Sequence, residues 1–113
     1  MPSRLLDVET ADESTLEGET ASVELSLTVR NKNGLHARPS SVLAETALRY
    51  ETTTLTLRRP DTGAQVDAKS IMELLLLEAG PGTELTLLAE GPQANAAAEA
   101  IRTLFEREFD LSL

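Results

Sequence analysis

The feature that most limits how this chain can fold is a strict alternation of apolar and polar residues that begins at Val23. Its apolar positions are Val23, Leu25, Leu27 and Val29, and its polar positions are Glu24, Ser26 and Thr28. Successive side chains of a β-strand point to opposite faces, so this segment presents one apolar row to one side of a sheet. We therefore predict a strand from Val23 to Val29 with one buried face and one solvated face.

Three further segments carry strand signals and three carry helix signals. The predicted strands are Thr52–Leu57, Gln65–Asp67 and Thr83–Ala89, with a hairpin turn over residues 58–64. The predicted helices run from Ala37 to Leu48, from Ser70 to the Gly80-Pro81-Gly82 run, and from Pro92 along an apolar stripe that ends at Phe109. The order is β-α-β-β-α-β-α. Since each strand has one apolar face, we predict an α+β fold in which three helices cover one face of a four-stranded antiparallel sheet.

The formal net charge of −9 is concentrated at the start of the chain. Residues 1–22 hold six acidic residues and one basic residue, and so account for −5 of that charge. A segment this acidic, with only scattered leucines, buries too little apolar area to offset the entropy lost on ordering it. We expect residues 1–22 to form a disordered acidic extension, for which a solvating tail is favoured over an interaction arm. Residues 23–113 then form a single folded domain.

Composition excludes several classes of function. The chain has no Cys, which removes disulfides, thiolate metal sites and thiol nucleophiles. Its acidic balance argues against nucleic acid as a partner, because phosphate backbones are bound by clustered Lys and Arg. Without a long apolar run or a secretion-signal pattern at the start, we expect no membrane span and a cytoplasmic location. Neither a metal ion nor another cofactor is expected.

The run Gly34-Leu35-His36-Ala37-Arg38-Pro39 places the single histidine between a turn residue and a predicted helix start. Glycine tolerates the positive φ of a tight turn, and proline fits the first turn of a helix. The first backbone N–H groups of a helix have no partner within it and carry the positive end of its dipole, so they attract anions. Arg38 adds a planar, permanently charged donor for phosphoryl oxygens. The run thus predicts a phosphate-handling site with His36 as nucleophile and Ala37 and Arg38 as phosphate-binding residues.

Position alone favours a simpler interpretation, since a lone histidine near a helix N-terminus is more often a solvated surface or capping residue. Catalysis by this chain alone is also disfavoured. A single His without Cys argues against a hydrolytic triad, and the run has no adjacent carboxylate pair for acid and base work.

Ser70-Ile71-Met72-Glu73 has the pattern of a capping box, in which the Ser70 and Glu73 side chains each accept from the other residue's backbone N–H. Spacing alone therefore assigns Ser70 a structural role at the start of the second helix. The four leucines that follow, residues 74–77, cover nearly every side of a helix. We expect two of them to face the core and one or two to face solvent.

Four stretches carry a resemblance to a known family. They are Asn33–Pro39 followed by Ser40-Ser41, the run Asp67–Leu75, the Gly80-Pro81-Gly82-Thr83 turn, and Gly91-Pro92. Together they resemble the histidine-containing phosphocarrier proteins, HPr, of the phosphoenolpyruvate-dependent phosphotransferase system, over residues 23–109. The resemblance implies an open-faced β-sandwich. It also implies a phosphoryl carrier that is not itself an enzyme, with Nδ1 of His36 as the acceptor atom.

The resemblance further implies partners and a modification site. His36 would receive its phosphoryl group from enzyme I and pass it to an enzyme IIA-type acceptor, and Ser70 would be the target of an HPr kinase/phosphorylase. The partner-binding surface carried over from the family consists of Ala37, Ser41, Ile71, Met72 and Leu75. The protein is expected to be a monomer. Details such as Ser70-Ile71-Met72, Gly91-Pro92-Gln93 and residues 105–110 are closer to the nitrogen-type and proteobacterial branch than to the sugar-transport branch.

Two functional hypotheses remain open from the sequence. In the first, the chain is a phosphocarrier that cycles through phospho-His36 and is regulated at Ser70. In the second, it is a regulatory binding module that acts mainly through the phosphorylation state of Ser70. Relatives of the second kind replace the active histidine, whereas this chain retains it, so the loop from Asn33 to Pro39 favours the carrier.

Overall fold

A computed structural model of the protein describes residues 21–110. Except for its last two residues, the predicted acidic extension lies outside the described residues, as do residues 111–113. The elements, in chain order, are β1 (Ser22–Thr28), α1 (Ala37–Leu48), β2 (Thr54–Arg59), β3 (Ala64–Asp67), α2 (Ile71–Leu76), β4 (Glu84–Glu90), α3 (Ala94–Glu106) and a short 3-10 turn (Glu108–Asp110). This order confirms the predicted β-α-β-β-α-β-α arrangement.

The four strands form one antiparallel sheet in the order β1-β4-β2-β3. Strand β4 is central and pairs with β1 on one side and β2 on the other, so that Leu87 lies opposite both Leu25 and Leu57. The alternation seen in the sequence therefore produces a continuous apolar face across the sheet. Strands β1 and β4 each begin within one residue of the predicted position.

The three helices supply the other half of a single core. Fully buried side chains on the sheet, among them Leu55, Leu57, Leu85 and Leu87, face buried side chains of the helices. These buried helical side chains include Leu43, Ala44, Ala47, Leu74, Ala94, Ala97, Ala98, Ile101 and Phe105. Small alanines on α3 let this helix approach the sheet closely. None of the helices within residues 21–110 has both the length and the apolar character needed to cross a membrane.

The hairpin between β2 and β3 is tighter than predicted. Residues 58–64 were expected to form the turn, but Arg58 and Arg59 continue β2 and pair with Gln65 and Ala64 of β3. The turn signals are Pro60, Asp61 and Gly63, and a strand with one solvated face accommodates the long charged side chains that precede them. The turn is thus reduced to residues 60–63, with Gly63 at a φ of +81°.

The second and third helices are both shorter than predicted. Helix α2 ends at Leu76 rather than at Gly80, because the chain turns at Glu78, whose φ is +51°. Helix α3 begins at Ala94 rather than at Pro92 and ends at Glu106. Phe109, which was assigned to the helical stripe, lies beyond the helix in a left-handed turn, with its ring centroid 5.1 Å from that of Phe105. The aromatic contact keeps Phe109 in the core although the helical hydrogen bonds have ended.

The leucine run of α2 divides as expected. Leu74 and Leu77 are buried, whereas Leu75 is 37% exposed and Leu76 is 75% exposed. This helix therefore contributes to the core on one side and presents apolar surface to solvent on the other.

Adjacent residues of β4 provide a test of the one-sided core. Leu87 is fully buried, whereas Leu88 is only partly buried and lies across from Glu24 and Thr56 on the open face. We expect Leu87→Ala to lower the free energy of unfolding by about 2 to 5 kcal/mol, because it leaves a cavity, and Leu88→Ala by less than about 1 kcal/mol. Denaturant titration of both variants measures this difference, and equal losses would contradict a core restricted to one face.

Candidate phosphoryl-acceptor site

The loop between β1 and α1 is closed by a turn that requires glycine. Gly34 has a φ of +74°, and a Cβ at this position would overlap the carbonyl oxygen of Ala79 and lie 2.7 Å from the Cα of Gly80. The backbone of the loop thus packs directly against the backbone that follows α2. Leu35 N–H donates to Ala79 O at 2.8 Å across this contact. The two segments are therefore fixed relative to each other.

Side chains of buried residues hold the same loop from within. Asn31 is buried, and its Nδ2 donates to Gly34 O at 2.6 Å. Ser40, on the first turn of α1 and fully buried, donates through Oγ to Leu35 O at 3.2 Å. The first bond precedes His36 in the chain and the second spans it, so together they fix the backbone that carries it.

His36 occupies the position immediately before α1, as predicted. Its backbone is extended, its side chain is exposed, and it makes no capping hydrogen bond to the helix. Because its imidazole is not used to cap the helix, the ring nitrogens are available to an external group. His36 O accepts from Ser40 N at 3.0 Å, which begins the helical hydrogen-bonding pattern.

The start of α1 presents donors next to the imidazole. Ala37 and Arg38 are the first two helical residues, and their N–H groups have no acceptor inside the helix. Pro39 follows and has no N–H to contribute. The guanidinium of Arg38 extends from an exposed residue of the same turn. Helix polarity and the arginine therefore both favour an anion at this end of α1.

A shallow cavity lies beside the imidazole. Its wall is formed by the two segments that meet at the Gly34–Ala79 contact, namely the loop that carries His36 and the end of α2 with the residues that follow it. Asn33, Leu35 and His36 line one side, and Leu75, Glu78, Ala79 and Gly80 line the other. Of the predicted partner-binding residues, Leu75 is the one that shares this cavity with His36. Asn33 was part of the recognised motif, but Glu78 was not identified from the sequence as a residue of the site.

Glu78 is held in place by Arg59 of the hairpin. Arg59 Nη1 donates to both Leu77 O and Glu78 O at 2.8 Å, and its Nε donates to Asp61 at 2.8 Å. These bonds satisfy carbonyl groups that the end of α2 leaves free. The sequence offered no signal for this role of Arg59, because its partners are backbone oxygens distant in the chain.

Ser70 caps α2, but the capping box is not reciprocal as predicted. Ser70 Oγ accepts from Glu73 N at 3.2 Å, which confirms the first half. Glu73 Oε1, however, accepts from Asp67 N at 2.9 Å instead of from Ser70 N. Ser70 N donates to Asp67 O at 3.0 Å in the preceding turn and is therefore already satisfied.

A second depression lies between α1 and α2 and brings together four of the residues singled out in the sequence. Ser41 of α1 lines it together with Ser70, Ile71 and Met72. Met72 is 74% exposed and Ile71 is 42% exposed. Leu48, 55% exposed, lines the same depression and was not included in the predicted partner surface. The exposed apolar side chains thus form one surface that continues through Leu75 toward His36.

Within residues 21–110, no group of three or more His, Asp or Glu side chains is arranged so that it could hold a metal ion.

Comparison with known proteins identifies the family to which this chain belongs. The family described as the PTS HPr component phosphorylation site matches residues 23–107. The chain is similar to the phosphocarrier protein HPr of Treponema pallidum, with 42% identity over 82 residues that cover 73% of this chain and 90% of that protein. It is also similar to the phosphocarrier protein NPr of Escherichia coli K12, with 34% identity over 88 residues that cover 78% of this chain and 96% of that protein.

Among solved structures, the crystal structure of HPr-C-His from Thermoanaerobacter tengcongensis superposes with a TM-score of 0.74 and 32% identity, covering 80% of this chain and 99% of that one. Relatives named HPr and relatives named NPr are both found, so the matches are compatible with either branch. The names of the relatives describe carriers of a phosphoryl group and not enzymes. With the open-faced fold and the family match across the folded region, the chain belongs to the HPr family of phosphocarrier proteins of the phosphotransferase system.

Proposed function

We propose that this protein receives a phosphoryl group on Nδ1 of His36 from phosphorylated enzyme I, itself charged by phosphoenolpyruvate, and passes the group to an enzyme IIA-type acceptor. The observation that carries the proposal is the exposed imidazole, not engaged in capping, directly before the free amides of α1. We expect the cycle to run in the cytoplasm.

The transfer requires only a nucleophile on this chain. The lone pair of Nδ1 forms a new nitrogen–phosphorus bond, the bond between phosphorus and the donor breaks, and its electron pair stays with the donor. The proton on Nε2 stays on the ring during this step. Imidazole suits the role because it is a nucleophile near neutral pH and the phosphoryl group it gains remains transferable. The reverse sequence of bonds delivers the group to the acceptor.

Arg38 and the amides of Ala37 and Arg38 would hold the transferred group. A charge-assisted hydrogen bond contributes roughly 1.5 to 3 kcal/mol, whereas an exposed helix N-terminus contributes roughly 0.3 to 1 kcal/mol. Moderate stabilisation suits a carrier, because a phosphoryl group held too tightly would not be released. Partner enzymes must therefore lower most of the barrier.

Ser70 is proposed as a regulatory phosphorylation site for an HPr kinase/phosphorylase. It lies at the start of α2 and lines the apolar depression with Ile71 and Met72. A phosphate there adds about −1.5 to −2 charges at a helix N-terminus, which tolerates anions, so the fold should persist. The added charge would instead act on partners that dock on Ala37, Ser41, Ile71, Met72 and Leu75. A purely regulatory module would not need the exposed imidazole, so the carrier function is favoured.

The central prediction concerns His36→Ala. With enzyme I and phosphoenolpyruvate, the wild-type protein should acquire one acid-labile phosphoryl group, and the variant should acquire none because the nucleophile is missing. Since His36 is exposed, the unfolding midpoint of the variant should match the wild type. Phosphoryl transfer that persists in the variant, or a group that resists acid, would rule out the proposal.

Arg38→Ala should slow phosphoryl uptake roughly 10- to 100-fold, because one charge-assisted interaction with the phosphoryl group is lost. Arg49→Ala is the matched control, since Arg49 is an exposed arginine at the opposite end of the same helix. Rapid-quench measurement of phospho-His36 formation distinguishes the two. Equal rates for the two variants would contradict a role for Arg38 at the phosphoryl group.

For Ser70, the informative pair is Ser70→Asp and Ser70→Asn. Both replacements preserve helix capping, but only Asp adds a negative charge. We expect Ser70→Asp to slow phosphoryl uptake from enzyme I with little change in unfolding free energy, and Ser70→Asn to behave like the wild type. Indistinguishable uptake rates for these two variants would argue against regulation through charge at this position.

A further inference from the structure

Glu78 adopts a backbone conformation that an L-residue with a Cβ rarely adopts. Its φ of +51° lies in the left-handed region, where glycine is the residue that fits without strain. Residues held in such conformations tend to occur where the side chain has a function. Glu78 lies in the wall of the cavity beside His36, so we expect its side chain to act on that site.

The surrounding structure holds this conformation from both sides of the residue. Arg59 Nη1 donates to the carbonyl oxygens of Leu77 and Glu78, and Glu78 N donates to Leu75 O at 3.2 Å. The next peptide group is fixed as well, since Ala79 O accepts from Leu35 N in the loop that carries His36. The backbone of Glu78 is therefore immobilised between the hairpin and the histidine loop.

Among the described residues that line the cavity, Glu78 is the one that carries a carboxylate. The other lining residues besides the histidine are neutral, namely Asn33, Leu35, Leu75, Ala79 and Gly80. The exposed cations Lys32 and Arg38 do not belong to the cavity wall, and the guanidinium of Arg59 is engaged by Asp61 and by the carbonyl oxygens of Leu77 and Glu78. One residue of the cavity wall thus carries a negative charge, at a site whose helix attracts anions.

Building on the function proposed above, we propose that the carboxylate of Glu78, whose backbone the Arg59 bonds hold in the wall of the His36 cavity, limits how strongly the phosphoryl group is held. Phosphorylation places a dianionic group next to this carboxylate, and like charges repel. Glu78 therefore raises the free energy of the phosphorylated carrier relative to the free carrier and favours delivery to the acceptor. Its role opposes that of Arg38 and the first-turn amides.

The test is an equilibrium measurement on the full chain with catalytic enzyme I at a fixed ratio of pyruvate to phosphoenolpyruvate. The fraction of phospho-His36 then depends on the stability of the phosphorylated carrier and not on how well it docks on enzyme I. We expect Glu78→Gln to raise the equilibrium constant for phosphorylation about 2- to 8-fold at low salt, as one exposed charge acting on a dianion would, and the gain to shrink at high salt.

Two further variants test whether a change in the equilibrium constant comes from loss of the Glu78 carboxylate, from relief of backbone strain, or from the lower net charge of the protein. Glu78→Gly removes both the carboxylate and the strain, so it should match Glu78→Gln in the equilibrium constant while unfolding at higher denaturant concentration. Glu90→Gln removes an exposed carboxylate at the opposite end of the sheet, across from Ser22, and should leave the equilibrium constant unchanged.

Each result has a distinct meaning. An increase shared by both Glu78 variants and absent from Glu90→Gln supports the proposal. An unchanged equilibrium with an altered rate of uptake would make Glu78 a docking contact and overturn it, and an increase in Glu78→Gly alone would do the same by assigning the effect to the backbone. If the wild-type protein itself takes up no phosphoryl group, the proposed function and this inference are both overturned, and this result differs from every outcome given for the variants.

Discussion

The site depends on one close contact between two backbones. Where Gly34 meets Ala79 and Gly80 there is no room for a side chain, and Leu35 N–H bonds directly to Ala79 O. This contact joins the loop that presents His36 to the segment that follows α2. The imidazole, the cavity wall and the exposed side of α2 consequently keep one mutual arrangement, although they come from segments far apart in the chain.

Helix α2 combines two requirements that usually conflict. Leu74 and Leu77 anchor it in the core, while Ile71, Met72 and Leu76 face solvent. Exposed apolar area on so small a domain is unfavourable unless a partner covers it, which agrees with a carrier that must dock on several proteins in turn. The carbonyl groups of Leu77 and Glu78, which follow the last turn of α2, are satisfied by Arg59 and not by further helical turns.

The fold was largely predictable because local periodicity and one-sided burial point to the same architecture. Alternation located the strands, and the Gly34–Pro39 run located His36 and the start of α1. What could not be predicted depends on contacts between distant segments. The turn at Glu78 after α2 depends on the bond from Arg59 to Glu78 O, and the continuation of β2 through Arg59 depends on its pairing with β3. The cavity wall and the pairing of Glu73 with Asp67 likewise require the folded chain.

The antiparallel pairing of β1 with β4 has a consequence for the charged segment that precedes the domain. Strand β1 enters the sheet at Ser22, opposite Glu90, and leaves it toward the His36 loop after seven residues. At about 3.3 Å per residue, the junction with the acidic segment stands roughly 20 Å from the loop end of the strand. That separation exceeds the Debye length of about 8 Å at physiological ionic strength. The interaction between charges at the junction and the imidazole is thus largely screened by salt. Acidic residues can be added or removed at the junction without changing the stability of a phosphoryl group at His36.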